Sequence, residues 1–208
     1  MAEIRVYAAT DLNQEQWREL QGISREAFST TLNNTRTPAE IDTLIAWDDP
    51  AAFYASHVDP NSQVGKRFNA DQSYSEPRVA VATEAHQPVG FAYSANNVSG
   101  ASETIRRAKE LSVVKNYLWL REVAVMRDFQ EQGIARELGR ALLKSAKPLQ
   151  PLATYIWPDE IGFLQAKLER VGFVVTGEEE AAVFGEASTP TRQIRMQARS
   201  ARALLNRL

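Results

Sequence analysis

The stretch LWLREVAVMRDFQEQGIARELGRALLKSA, residues 118–146, decides the fold. Its opening, Tyr117 to Met126, is rich in β-branched and aromatic residues and reads as a strand. From Gly133 to Lys147 the apolar period changes. Ile134, Leu138, Ala141 and Leu142 share one helical face, while Arg136, Glu137, Arg140 and Lys144 lie mostly elsewhere. Between strand and helix stands Gln130-x-x-Gly133-x-Ala135. The first amides of a helix have no internal partner and sit at the positive end of its dipole. Gly133 permits a tight turn and a close approach by a bulky group, and a small residue at 135 keeps a side chain out of that space. A pyrophosphate could accept several of these amide hydrogen bonds. A plain strand-to-helix turn satisfies the same residues, and this physics alone does not separate the two. Neither the Lys-Ser/Thr pair of a Walker loop nor a triple-glycine dinucleotide fingerprint is present.

Working outward, Glu3–Ala9 alternates and reads as a strand, followed by a helix capped by Thr10 or Asp11, with Leu12, Trp17, Leu20, Ile23 and Phe28 on its apolar face. A helix is expected to start at Thr37-Pro38 and to break at Asp48-Asp49-Pro50, with a short helix through Phe53, Tyr54 and His57. Residues 58–77 read as a long loop. Arg78–Glu84 and Val89–Val98 read as a hairpin turning at His86-Gln87-Pro88. A helical segment over about 101–111, a strand at Leu152–Trp157, a helix at Glu160–Val171, closing strands at Phe173–Thr176 and Arg192–Ala198, and a short helix in the tail complete the order. Strands separated by helical crossovers imply a partly parallel sheet with helices packed on it. No domain boundary shows, so residues 1–208 are expected to form one domain with a variable region at about 29–77.

Composition narrows the function. The 208 residues carry 24 Lys and Arg against 26 Asp and Glu, a net charge of -2, so no basic footprint for nucleic acid is present. With no cysteine, disulfides, thiolate metal sites and cysteine nucleophiles are excluded, and two histidines make a histidine metal site implausible. No window approaches 18 uninterrupted apolar residues and Met1–Arg5 does not open a secretion signal, so no membrane contact is expected and a cytoplasmic location is the default.

Val123-Ala124-Val125-Met126-Arg127-Asp128-Phe129-Gln130-Glu131-Gln132-Gly133-Ile134-Ala135 resembles the central motif of the GNAT acyltransferase superfamily: an Ala-Val-like strand end, a short polar stretch, then Gln/Arg-x-x-Gly-x-Gly/Ala. Leu168-Glu169-Arg170-Val171-Gly172-Phe173 resembles that family's helix end and "Gly-Phe" strand start. The order of elements matches over about residues 78–177, and residues 1–28 fit the first strand and helix.

The resemblance implies the α/β (α+β) acyl-CoA N-acyltransferase fold. This is a single mixed, mostly antiparallel sheet with a central parallel pair of strands that splay apart, and helices on both faces. It implies acetyl-coenzyme A as acyl donor, its pantetheine arm on the backbone of Val123, Ala124 and Val125, and its pyrophosphate on amides from Gln130 through Glu131, Gln132, Gly133, Ile134 and Ala135 to Arg136. It implies a small-molecule amine or a protein amino group as acceptor, and dimers are common in the family, so a homodimer is the oligomeric expectation. Glu122, just before the strand end, is the expected base; equally, it could pair with Arg121 or another cation and only order the strand. Where many relatives carry a proton-donating tyrosine this chain has Leu168, so water or another hydroxyl, Tyr155 being nearest, would protonate the leaving thiolate. The region between first helix and second strand would shape the acceptor pocket, with Trp47 and Tyr54 as walls and Asp48 or Asp49 attracting a cation; a helix cap over core aromatics fits the same residues. The competing reading from Leu168 is a non-catalytic acyl-CoA-binding regulatory module.

Overall fold

A computed structural model describes residues 2–32, 49–61, 74–97, 117–156, 161–181 and 191–208. The elements expected at Thr37-Pro38 and at 101–111, with Trp47, Asp48 and Trp157, lie outside the described residues.

The described elements are β1 (Glu3–Ala8), α1 (Gln14–Leu32), α2 (Pro50–Val58), β2 (Tyr74–Glu84), β3 (Gln87–Asn97), β4 (Tyr117–Val125), α3 (Ile134–Ser145), β5 (Leu152–Ile156), α4 (Ile161–Val171), β6 (Phe173–Ala181), β7 (Thr191–Ala198) and α5 (Ala201–Leu205). Seven strands form one mixed sheet in the order β1-β2-β3-β4-β5-β7-β6. Every neighbouring pair is antiparallel except β4 and β5, which run parallel with α3 as their crossover. This is the mixed, mostly antiparallel sheet expected from the motif order.

Alternation along the central strands sorts the core onto two faces. On one, Val79, Val81, Phe91, Tyr93 and Ala124 pack with Trp17, Leu20 and Ile23 of α1 and Phe53 of α2. On the other, Ala80, Ala82, Ala92 and Val125 pack beneath Ile134, Leu138 and Leu142 of α3. A third cluster joins Leu118, Leu152, Ile156 and Met196 to Leu143 of α3 and Leu204 of α5. Leu168 of α4 packs against this cluster. Gly172 ends α4 at φ +106, its amide bonding back to the carbonyls of Leu168 and Glu169, which is why a glycine precedes Phe173.

Three boundaries differ from the sequence expectation. Helix α1 is capped by Asn13, not Thr10 or Asp11. Asn13 Oδ1 accepts from the Gln16 amide and Gln16 Oε1 from the Asn13 amide, both at 2.9 Å, while Ala9–Asp11 forms a 3-10 turn. Strand β2 begins at Tyr74, inside the expected loop, because a bulge at Glu76-Pro77 lets the ladder with β3 resume after the proline. The hairpin turns on Ala85-His86, both left-handed at φ +48 and +68, so Gln87 and Pro88 belong to β3.

Neither turn residue favours that conformation. Replacing Ala85→Asn together with His86→Gly is expected to raise unfolding stability by about 1 kcal/mol in urea titrations. Unchanged or lowered stability would contradict the turn geometry.

Candidate active site

Strand β4 holds the site, and a bulge determines what it presents. Glu122 pairs with Tyr93 but Leu120 pairs with Ser94, so Arg121 is the extra residue of β4. An extra residue reverses the phase of everything after it. Before the bulge, the Leu118 amide bonds the Pro151 carbonyl towards β5, and the Leu120 carbonyl accepts from Thr154 Oγ1 at 2.8 Å. After it, the Met126 amide bonds Val89 towards β3. Antiparallel alternation then turns the main-chain groups of Glu122 and Ala124 to β3, and those of Val123 and Val125 to the β5 side.

That side is open. The parallel ladder between β4 and β5 covers only Leu118–Leu152 and Trp119–Ala153, after which the strands part. β5 continues in its ladder with β7 to Ile156. The resulting gap faces Val123 and Val125. The Val123 side chain is 43% exposed, whereas Ala124 and Val125 are buried in the two cores. The Val125 carbonyl accepts from Gln130 Nε2 at 3.0 Å, so the side chain of Gln130 closes one end of the gap.

Beyond β4, a 3-10 turn at Arg127–Phe129 leads to Glu131 at φ +63 and Gly133 at φ +82, which starts α3. A side chain at 133 would meet nothing nearer than Arg136 at 3.9 Å, so the left-handed backbone demands the glycine, not crowding. The Gln130 amide is occupied, bonding the Arg127 carbonyl at 3.2 Å, which removes it from the expected set. The amides of Glu131, Gln132, Gly133, Ile134, Ala135 and Arg136 have no partner among the described residues. Ile134 is buried under the sheet and offers only its backbone, while Ala135 and Arg136 are exposed. Glu137, in this first turn, is neutralised by Arg140 at 2.8 Å. The loop is anchored to α1 by the Arg127 amide on Glu26 Oε1 at 2.8 Å.

The phase change also turns Arg121 and Glu122 to the same face, over α1 and α2. Arg121 donates to the Ser56 carbonyl at 3.1 Å and lies near the rings of Tyr93 and Trp119. Glu122 does not pair with it directly. One carboxylate oxygen accepts from Ser24 of α1, and the other lies 3.2 Å from Nε2 of His57 of α2. His57 is 1% exposed, with its ring among Trp17, Phe53 and Tyr93. Burial alone would push the Glu122 carboxyl up, but the bonds from His57 and Ser24 and the charge of Arg121 outweigh it and hold it below its usual range. Burial pushes the His57 imidazole down, and Arg121 pushes it the same way. Burial raises the Tyr93 phenol, whose hydroxyl donates to the His57 carbonyl at 2.9 Å.

The remaining expected residues are less central. Asp49 caps α2, accepting from the Ala51 amide at 2.8 Å, so this carboxylate orders a helix end. Tyr54 is half-buried against the α1–α2 core. Tyr155 pairs with Arg195 of β7 in the β5 ladder; its side chain lies outside the described residues. Sequence reading missed the contacts of Ser24 and His57 with Glu122. The available signal was polar Gln21 and Ser24 among Leu20, Ile23 and Ala27, on the face α1 buries.

With this geometry in place, comparison with known proteins gives the class. The Acetyltransferase (GNAT) family profile matches residues 11–160, and the chain belongs to that family. Among solved structures, an acetyltransferase of the GNAT family from Streptococcus agalactiae 2603 superposes with a TM-score of 0.62 at 11% identity, covering 95% of both chains. The PaiA N-acetyltransferase of Thermoplasma acidophilum, crystallised with coenzyme A, gives 0.53 at 14% identity over 95% of this chain and 99% of its own. The ribosomal-protein-S18-alanine N-acetyltransferase of Escherichia coli gives 0.53 at 14%, over 94% and 93%. At these identities the likeness establishes the fold. No curated protein sequence matches the chain significantly. Among the described residues no cluster of metal-ligating side chains occurs, and no helix is long and apolar enough to cross a membrane.

Both lowered groups act on stability with the same sign. An unfolded histidine charges below about pH 6.5 while the buried ring resists, so the unfolded state binds more protons there and stability is lost as the pH drops. The Glu122 contribution is present above the unfolded carboxyl range and is lost at still lower pH. Urea midpoints are expected to drop between pH 7 and pH 5.5 in the native chain and to drop less in His57→Gln. Equal slopes would contradict the burial of His57.

Proposed function

We propose that the chain transfers an acetyl group from acetyl-coenzyme A to a primary amine by direct attack, the amine belonging to a small molecule or to a protein. The observation that supports this most is the pairing of two main-chain features. Six consecutive amides without partners stand at the start of α3, and beside them the β4–β5 ladder stops after Trp119–Ala153. The amides from Glu131 to Arg136 fit a pyrophosphate, and the open edge formed by Val123 and the Val125 amide fits a pantetheine arm as a further strand would. The thioester then reaches the parting of the strands, supplying the acyl group.

Glu122 is the base. The amine's ammonium loses one proton to the carboxylate or to a water on it, the nitrogen bonds the acyl carbon, the carbon–sulfur bond breaks, and the nitrogen sheds its second proton to water as the amide forms. A carboxylate offers about four acceptor positions, and Ser24 and His57 occupy two. The leaving thiolate takes its proton from water or from Tyr155; Leu168 packs against the core and has none to give. On the acceptor side the proposed contacts are Tyr54, Trp47 and Asp48. Leu168 also sustains the second reading, a module that binds the acyl donor without turnover.

Thiol release from acetyl-coenzyme A over an amine panel separates the two. The expected result is amine-dependent release, lowered about 100-fold or more in Glu122→Gln with the alkaline rise in rate flattened. Cofactor binding without release over the panel supports the module. Gly133→Ala, strained in the left-handed region, is expected to weaken coenzyme A binding in calorimetry while the fold persists. Unchanged affinity would remove that turn from the site.

A further inference from the structure

A carboxylate that accepts an ammonium proton must be ionised and aimed before the acceptor arrives. Three elements remote in sequence meet to do this: Ser24 from α1, His57 from α2 and Glu122 from β4. The imidazole is enclosed by the rings of Phe53, Tyr93 and Trp17 at 4.3, 4.7 and 5.0 Å between centroids. Those rings hold its plane, with Nε2 directed at Glu122 at 3.2 Å.

The other ring nitrogen is provided for in both charge states. Nδ1 lies 3.0 Å from the Ser56 hydroxyl, which donates to the Phe53 carbonyl at 2.9 Å and can turn its one proton to a bare ring nitrogen instead, and 2.8 Å from that same carbonyl, which can accept from a protonated one. Among the described residues, the titratable groups facing the ring are Glu122 and Arg121 of β4 and the phenol of Tyr93 from β3, and the neighbours from α1 and α2 are the uncharged Trp17, Phe53 and Ser56. Burial and Arg121 favour the neutral ring. Once the Ser56 hydroxyl turns from the Phe53 carbonyl to Nδ1, a neutral ring keeps its proton on Nε2, directed at the carboxylate.

We propose that His57 is a positioning residue for the transfer, an inference that rests on the reading of Glu122 as base. Its Nε2–H and the Ser24 hydroxyl together clamp the carboxylate and keep it ionised between turnovers. The acceptor's N–H bond then breaks as an O–H bond forms at a position on Glu122 that the two donors leave open. The freed nitrogen lone pair makes the bond to carbon, and the proton passes from Glu122 to solvent after the product leaves.

The chain has two histidines, so with the exposed His86→Asn substitution the ring signals in a nitrogen-15 spectrum belong to His57 alone. The expected spectrum shows a neutral ring protonated at Nε2 at pH 7, with a signal that shifts on Glu122→Gln. In steady-state kinetics, His57→Phe keeps an aromatic plug without the donor. It is expected to lower kcat roughly 100-fold, leave KM for acetyl-coenzyme A within about twofold and move the acid limb of kcat up by about one unit. His57→Gln, whose amide can donate to Glu122, restores most of the rate. Wild-type kcat and acid limb in His57→Phe, or a ring that ignores Glu122→Gln, would overturn the proposal while leaving the transferase reading intact. Absence of amine-dependent thiol release from the native chain would overturn both.

Discussion

The extra residue at Arg121 is the constraint on which the site depends. Without it, the period of two would carry the Leu118–Leu120 phase to the end of β4. Glu122 and Ala124 would then present their main-chain groups to the gap, and the carboxylate of Glu122 would turn to the opposite face. One inserted residue moves the free edge to Val123 and Val125 and swings the Glu122 side chain over α1 and α2, where Ser24 and His57 meet it. The bulge also ends register with β5, whose ladder stops at Trp119–Ala153 with Thr154 capping the last carbonyl.

The cores explain why this geometry is rigid. Small residues Ala80, Ala82 and Ala92 let α3 settle closely on one face, which sets the height at which its first turn meets β4. On the other face the aromatics of α1 and α2 enclose the His57 ring, and Trp17 Nε1 is anchored to the Ala9 carbonyl at 3.1 Å. Buried polar groups are costly unless partnered. The Ser24–Glu122–His57 cluster meets that condition through side chains from three separate elements, so the site and the packing of both helices depend on each other.

The sequence showed the strand-to-helix motif because it is carried by residues close together, with period 2 giving way to period 3.6 at Gly133, and the parallel pair came with the family resemblance that this motif carries. Glu122 and Gly133 were singled out from their position within that motif, which is local in sequence. The sequence did not show the register shift at Arg121, because a bulge has no composition of its own: LREVAV alternates as well with it as without it. Nor did it show the partners of Glu122. Ser24 and His57 lie 98 and 65 residues away, and only the fold brings them together. Asn13 was missed as a cap because Thr10 and Asp11 carry the same chemistry three and two residues earlier.

The most direct test of the central claim is a backbone amide titration by nuclear magnetic resonance, with coenzyme A added to the native chain. The account predicts that the largest shifts fall on the amides of Glu131 through Arg136 and on those of Val123 and Val125, while Gln130, already bonded within the turn, moves less. Coenzyme A that leaves these amides unmoved, or that shifts only residues away from the β4–α3 junction, would contradict it.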